Sequence, residues 1–112
     1  VSDCIFCRIA QGEAPARIVY QDEDVTAFHD LNPQAPVHIL IIPNRHIASV
    51  AQAGSDDEPA LGRLFTAARY VAEEFGATDY RLVINSGSQA GQSVFHLHMH
   101  LLGGRRMGWP PG

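Results

Sequence analysis

Hydrophobic and polar positions alternate along this chain in two periods, and the change of period marks its elements. Residues 92–102 read Gln-Ser-Val-Phe-His-Leu-His-Met-His-Leu-Leu. A period of two marks a half-buried strand, whose side chains two apart share a face. The spacing predicts a strand with His96, His98 and His100 on one face and Phe95, Leu97, Met99 and Leu101 on the core face. Val37–Pro43 is the most apolar run and predicts a central strand buried on both faces. Residues 16–21 and 25–28 read as two strands joined by a hairpin turn at Asp22-Glu23-Asp24, and residues 80–85 as another strand.

Between these strands the period lengthens. Leu61, Leu64, Phe65, Ala68, Val71, Ala72 and Phe75 recur at spacings of three and four, the apolar stripe of a helix of about four to five turns. Ser55 and Glu58 form a capping-box pattern before it, and Gly76 follows as a left-handed cap. Arg63, Arg69, Glu73 and Glu74 make its solvated face. Residues 4–9 read as a short helical turn with Ile5, Phe6 and Ile9 on one apolar side. Short links between strands predict an α+β fold: about five strands, mainly antiparallel, with one long and one short helix.

At 112 residues with 46% hydrophobic content, the chain is expected to form one domain over 1–112. A net charge of −4 leaves no basic field for a nucleic-acid backbone, so no nucleic-acid partner is expected, although a mononucleotide needs only a local donor cluster. No apolar run approaches the ~18 residues of a membrane span. Val1-Ser2-Asp3-Cys4 has neither a charged nor an apolar leader region, and the absent initiator Met points to processing or trimming, so a soluble cytoplasmic protein is the expectation.

Candidate chemistry centres on the imidazole row. Three readings compete: a polar face that happens to be His, a metal site, since H-x-H puts two ligands on one side, and catalysis on phosphate. The segment before it, Gly87-Ser88-Gln89-Ala90-Gly91-Gln92-Ser93, favours the third. Small donor-rich loops of this kind can form an anion-binding nest. Cys4 and Cys7 are too few for a disulfide scaffold; as a C-x-x-C pair they read as zinc ligands if two more ligands exist, otherwise as a redox pair or core residues. His29 and Asp30 end a strand beside a loop stiffened by Pro33 and Pro36, a place for binding residues, though Asp30 also suits an Asx turn. His38 interrupts an apolar run and needs partners for both ring nitrogens. His46 by itself reads as a surface residue.

His96-Leu-His98-Met-His100-Leu-Leu resembles the His-φ-His-φ-His-φ-φ signature of the histidine triad family. Ala90-Gly91-Gln92-Ser93-Val94 before it and residues 102–112 after it, ending Met-Gly-Trp-Pro-Pro-Gly, resemble its nucleotide-binding branch, and the similarity runs from Cys4 to Gly112. The resemblance implies a homodimer with a continuous sheet and hydrolysis at the α-phosphorus of purine nucleoside monophosphate derivatives, phosphoramidates foremost, without a catalytic cofactor. It implies His98 as nucleophile, His100 and Ser93 on the phosphate, and His38 supporting the triad. Asp30 matches the ribose ligand, and Asn85, Gly91 and Gln92 match phosphate and ribose contacts. Ile5, Phe6, Ile9, Phe28, His29 and Leu31 match the purine pocket, in which Ala14 stands where a larger aliphatic is usual. Trp109 matches a residue that lies beside the partner subunit's site. Cys4, Cys7, His46 and His96 match the ligands of a structural zinc present in some members. Three rival readings accompany this one: a diadenosine polyphosphate hydrolase, which Trp109-Pro110-Pro111-Gly112 argues against, a nucleotide-binding scaffold, and a metalloenzyme using all three triad histidines.

Overall fold

The computed structural model describes residues 3–112; Val1 and Ser2, read above as the start of a leaderless terminus, lie outside the described residues. Five strands form one antiparallel sheet: β1 (Ile18–Gln21), β2 (Val25–His29), β3 (Val37–Pro43), β4 (Tyr80–Ile84) and β5 (Met99–Gly103). Their spatial order is β1-β2-β3-β5-β4. Among the described residues two α-helices accompany them, α1 (Ile5–Ala10) and α2 (Glu58–Glu74).

The sheet separates two apolar clusters. Strand alternation sends Val25 and Ala27 of β2, Ile39 and Ile41 of β3, and Met99 and Leu101 of β5 to one face, where they meet Leu64, Ala67, Ala68, Val71 and Ala72 of α2. Phe28, Leu40 and Ile42 point to the other face and meet Phe6 and Ile9 of α1. The central strand is therefore buried on both sides, as its composition predicts. Ala67 joins the helical stripe, while Phe65 and Phe75 stay exposed. The helix ends as expected: at Gly76, φ 68°, the Ala77 and Gly76 N–H groups donate to the Ala72 and Glu73 carbonyls.

Two local expectations change. Ser55 opens a single 3-10 turn and makes no cap bond. Asp57 caps instead: its carboxylate accepts from the Gly54 N–H at 2.9 Å and pairs with Arg45. The predicted strand over 92–102 is also shortened, since pairing begins only at Met99. Upstream, the backbone bonds go elsewhere. Leu97 N–H donates to the Ile47 carbonyl at 2.7 Å, and the Pro43 carbonyl at the end of β3 accepts from the ring of His96. Phe95, placed on the core face by alternation, sits in this bent stretch and is 51% exposed.

Candidate active site

On the α1 side of the sheet lies a cleft of about 550 Å³. Ile5, Phe6 and Ile9 of α1 border it, with Phe28, His29, Asp30 and Leu31 at the end of β2, and Ser93, His98 and His100 from the carboxy-terminal third. Three segments far apart in sequence thus converge because β2, β3 and β5 are neighbours in the sheet. Strand register sets the finer placement. Leu40 stands opposite His100 and His38 opposite Leu102, so the two imidazoles are diagonal neighbours on one face.

His98 Nδ1 is 2.8 Å from the carbonyl oxygen of its neighbour but one, His96. A carbonyl only accepts, so Nδ1 carries the proton and Nε2 holds a lone pair with no protein partner among the described residues. Phe6 packs edge-on to this ring, with centroids 5.2 Å apart, and also on Phe28 at 5.4 Å. Phe6 is thus buried and holds the His98 ring in place as well as forming the cleft wall.

His38 Nε2 is 2.9 Å from His100 Nδ1 and 3.4 Å from an Asp30 carboxylate oxygen. Burial lowers the pKa of His38 against the opposing pull of Asp30. Burial, then the neighbouring His98 and His38 rings, pushes His100 down to about 4. Both rings are neutral near pH 7. Asp30 also accepts from the Asn32 N–H at 2.7 Å, so its Asx turn and its place in the cleft coexist.

The remaining candidates fall into three groups. His29 reaches the cleft from the strand end, and its ring packs edge-on to Phe75, which follows α2, with centroids 5.5 Å apart. Gly91, φ 102°, and Gln92 lie outside the lining and build the loop. Their N–H groups donate to the Ser88 and Gly87 carbonyls, and the Gln92 side chain donates to the Ala48 and Val94 carbonyls and accepts from the Gly87 N–H. Asn85 packs beside Gly91, also away from the lining. Trp109 is 82% exposed and lies near the Arg81 guanidinium, outside this cleft. Sequence reasoning missed Pro15, Ala16, Arg17, Pro33, Leu40 and Val94, which also border the cleft. Leu40 was within reach of it, since it shares a strand face with His38.

A second cluster lies behind the cleft wall. His96 Nδ1 is 3.3 Å from the Cys4 sulfur and 3.5 Å from the Cys7 sulfur, and His46 Nδ1 is 3.4 Å from Cys7. In a tetrahedral zinc site, with Zn–S about 2.3 Å and Zn–N about 2.0 Å, sulfur and nitrogen ligands sit about 3.5 Å apart. His96 donates its Nε2–H to the Pro43 carbonyl at 2.7 Å, leaving Nδ1 free toward the sulfurs. The donor set and the tautomer both fit zinc. His96 thus turns away from the other two histidines into this cluster.

Comparison with known proteins bears on the family. Residues 11–107 match the model of the HIT domain. An uncharacterized HIT-like protein of Synechocystis sp. is 50% identical over 98% of this chain and 97% of its own length. The purine nucleoside phosphoramidase of Escherichia coli K12 is 51% identical over 95% of this chain and 91% of its own. A crystal structure of a HIT family hydrolase from Legionella pneumophila superposes with a TM-score of 0.94 at 50% identity, covering 97% of this chain and 99% of that one. With its domain match, its sheet and these relatives in agreement, the chain belongs to the histidine triad (HIT) family.

Proposed function

We propose that this protein is a purine nucleoside phosphoramidase, hydrolysing nucleoside 5′-phosphoramidates and related acyl nucleotides at the α-phosphorus. The observation that carries this reading is the His98 ring: its proton is held at Nδ1 by a carbonyl, and its Nε2 lone pair is free in a cleft that also holds Asp30, Ser93 and His100. The nearness of the Escherichia coli phosphoramidase supports the same substrate class.

In the first step His98 Nε2 attacks the α-phosphorus and the bond from phosphorus to the leaving nitrogen breaks. That nitrogen takes up a proton from solvent, relayed by Ser93, and departs as amine. The nucleotidyl-imidazolium keeps its Nδ1–H on the His96 carbonyl. Water then attacks phosphorus, gives up its proton, and releases the nucleoside monophosphate and neutral His98. His100 and Ser93 donate to the phosphate oxygens, where charge develops, and no catalytic metal is required. Asp30 accepts from the ribose hydroxyls, and Ile5, Ile9, Phe28 and Leu31 enclose the base. Gly91, Gln92 and Asn85 act by shaping the loop that presents Ser93.

The assembly proposed with this activity is a homodimer joined through the free edge of β4, the exposed Phe65 and Tyr70 of α2, and Phe75 just after it. Its exposed Trp109 would then dock beside the partner subunit's cleft, as a large indole favours. Cys4, Cys7, His46 and His96 would hold one zinc ion, which ties α1 to the exit of β3 and supplies structural bracing only.

Rapid acid quench with a labelled adenosine 5′-phosphoramidate tests the mechanism. Label is expected on His98. No trapped label together with no turnover would leave a nucleotide-binding scaffold as the better reading.

A further inference from the structure

The hydrogen bond between His38 and His100 is set from outside both rings. The backbone N–H of Gln34 lies 2.9 Å from His38 Nδ1 and donates to it. A backbone amide cannot accept, so Nδ1 must hold a lone pair and the His38 proton must sit on Nε2. That proton points at His100 Nδ1, 2.9 Å away, with the Asp30 carboxylate at 3.4 Å as a weaker second acceptor. Accepting at Nδ1 obliges neutral His100 to carry its own proton on Nε2, which has no protein partner among the described residues.

The Gln34 peptide is held from several directions. Its carbonyl accepts from Arg105 Nε at 2.9 Å, and its side chain donates to the Asn32 carbonyl. Gly104, at φ 87°, lies against Pro36, where an added Cβ would come within 2.9 Å of the proline ring. The carboxy-terminal Gly104-Arg105 segment thus clamps the loop that carries the donor.

We propose that the backbone N–H of Gln34 is the positioning group of the His38–His100 pair: by forcing the Nε2–H tautomer on His38 it forces the same tautomer on His100, which therefore meets the phosphate as a neutral hydrogen-bond donor. The tautomer assignment stands on geometry alone; its catalytic meaning rests on the hydrolase reading above. The same proton occupies the place a metal ion would take between Asp30, His38 and His100, whose ligand atoms lie within 4.8 Å of one another. That cluster is a hydrogen-bonded chain of fixed direction.

Long-range 1H–15N correlation spectra of the labelled full chain at pH 7 read each ring's tautomer directly. His38 and His100 are both expected as Nε2–H. Gln34→Pro removes the donor while keeping a residue at that position. In it, His38 is expected to populate Nδ1–H, and kcat to fall by roughly tenfold or more with nucleoside monophosphate affinity little changed. Gln34→Ala, which keeps the N–H, is expected to show the wild-type tautomers. A wild-type His38 found as Nδ1–H or as imidazolium overturns the proposal, and that result does not depend on whether the proline variant folds. An unchanged kcat and unchanged tautomers in Gln34→Pro also overturn it. A chain that hydrolyses no phosphoramidate yet shows both rings as Nε2–H removes the activity and leaves the tautomer lock standing.

Discussion

The Nδ1 atom of His98 lies 2.8 Å from the carbonyl oxygen of His96, so one backbone group decides which nitrogen of the central histidine keeps its lone pair. A two-residue separation suffices because the segment is bent there and not paired into the sheet. In His98→Gly, turnover of adenosine phosphoramidate is expected to drop by several orders of magnitude. Binding of AMP should weaken far less, because Asp30 and the apolar wall are untouched. Single-turnover kinetics and calorimetry check both, and wild-type turnover would remove the nucleophile assignment.

Acid should loosen the cleft. The His100 pKa is about 4 in the folded protein against 6.5 for an unperturbed ring. Between these values the unfolded chain binds the extra proton, so stability is full above about pH 6.5 and declines as pH falls toward about 4. This loss is about 2 kcal/mol once screening by solvent at the partly open ring is allowed for. Chemical denaturation across this range should show a shallower pH slope in His100→Asn than in the wild type. Equal slopes would contradict the depressed value.

Asp30 is the proposed ribose ligand. A carboxylate accepting from both hydroxyls gains ~1.5–3 kcal/mol from each. AMP should therefore bind more tightly than 2′-deoxy-AMP, and Asp30→Asn should narrow the gap. Equal affinities in the wild type would leave Asp30 as a turn residue alone.

Zinc should brace the fold without entering the chemistry. Protein prepared without chelator is expected to contain one Zn2+ per chain by mass spectrometry. The Cys4→Ser, Cys7→Ser double variant should melt at lower temperature and keep substantial activity, and chelation should leave turnover in place. Metal-free protein of unchanged melting temperature would return the cysteines to the core.

Asp22 is expected to matter for stability although it lies far from the cleft. Burial opposes its charge, yet N–H groups of Asp24 and Val25, the Tyr20 hydroxyl and Arg63 hold its carboxyl down at about 2. These contacts tie the β1–β2 turn to α2 through Arg63, 2.5 Å away. Asp22→Ala strands several partly buried donors and should cost about 2–4 kcal/mol in urea titrations, with the kinetics of the surviving folded protein unchanged. A loss below experimental error would show that water replaces the carboxylate freely.

Periodicity alone determined the strands, the long helix and their faces, because burial rewards any sequence whose apolar positions match the repeat of its backbone. Val37–Pro43 follows it closely, as do Leu64, Ala68, Val71 and Ala72 of α2, whereas Phe65 and Phe75 of the same stripe stay exposed. The residue types in the triad, in Cys4-x-x-Cys7 and in Asp30 were likewise legible, since few structural roles call for such groups together. The pattern failed where backbone bonds left the sheet. Alternation treated His96, His98 and His100 as equals, but the Pro43 carbonyl draws His96 toward the cysteines, and pairing begins only at Met99. Nor does Gln92 advertise that its amide is committed to Ala48, Val94 and Gly87. Proton placement was the last thing decided. Which nitrogen of His38, His98 or His100 carries hydrogen depends on a carbonyl or amide within about 3 Å. Such backbone groups are the same in every residue, so only the tertiary fold could select the Gln34 N–H and the His96 carbonyl.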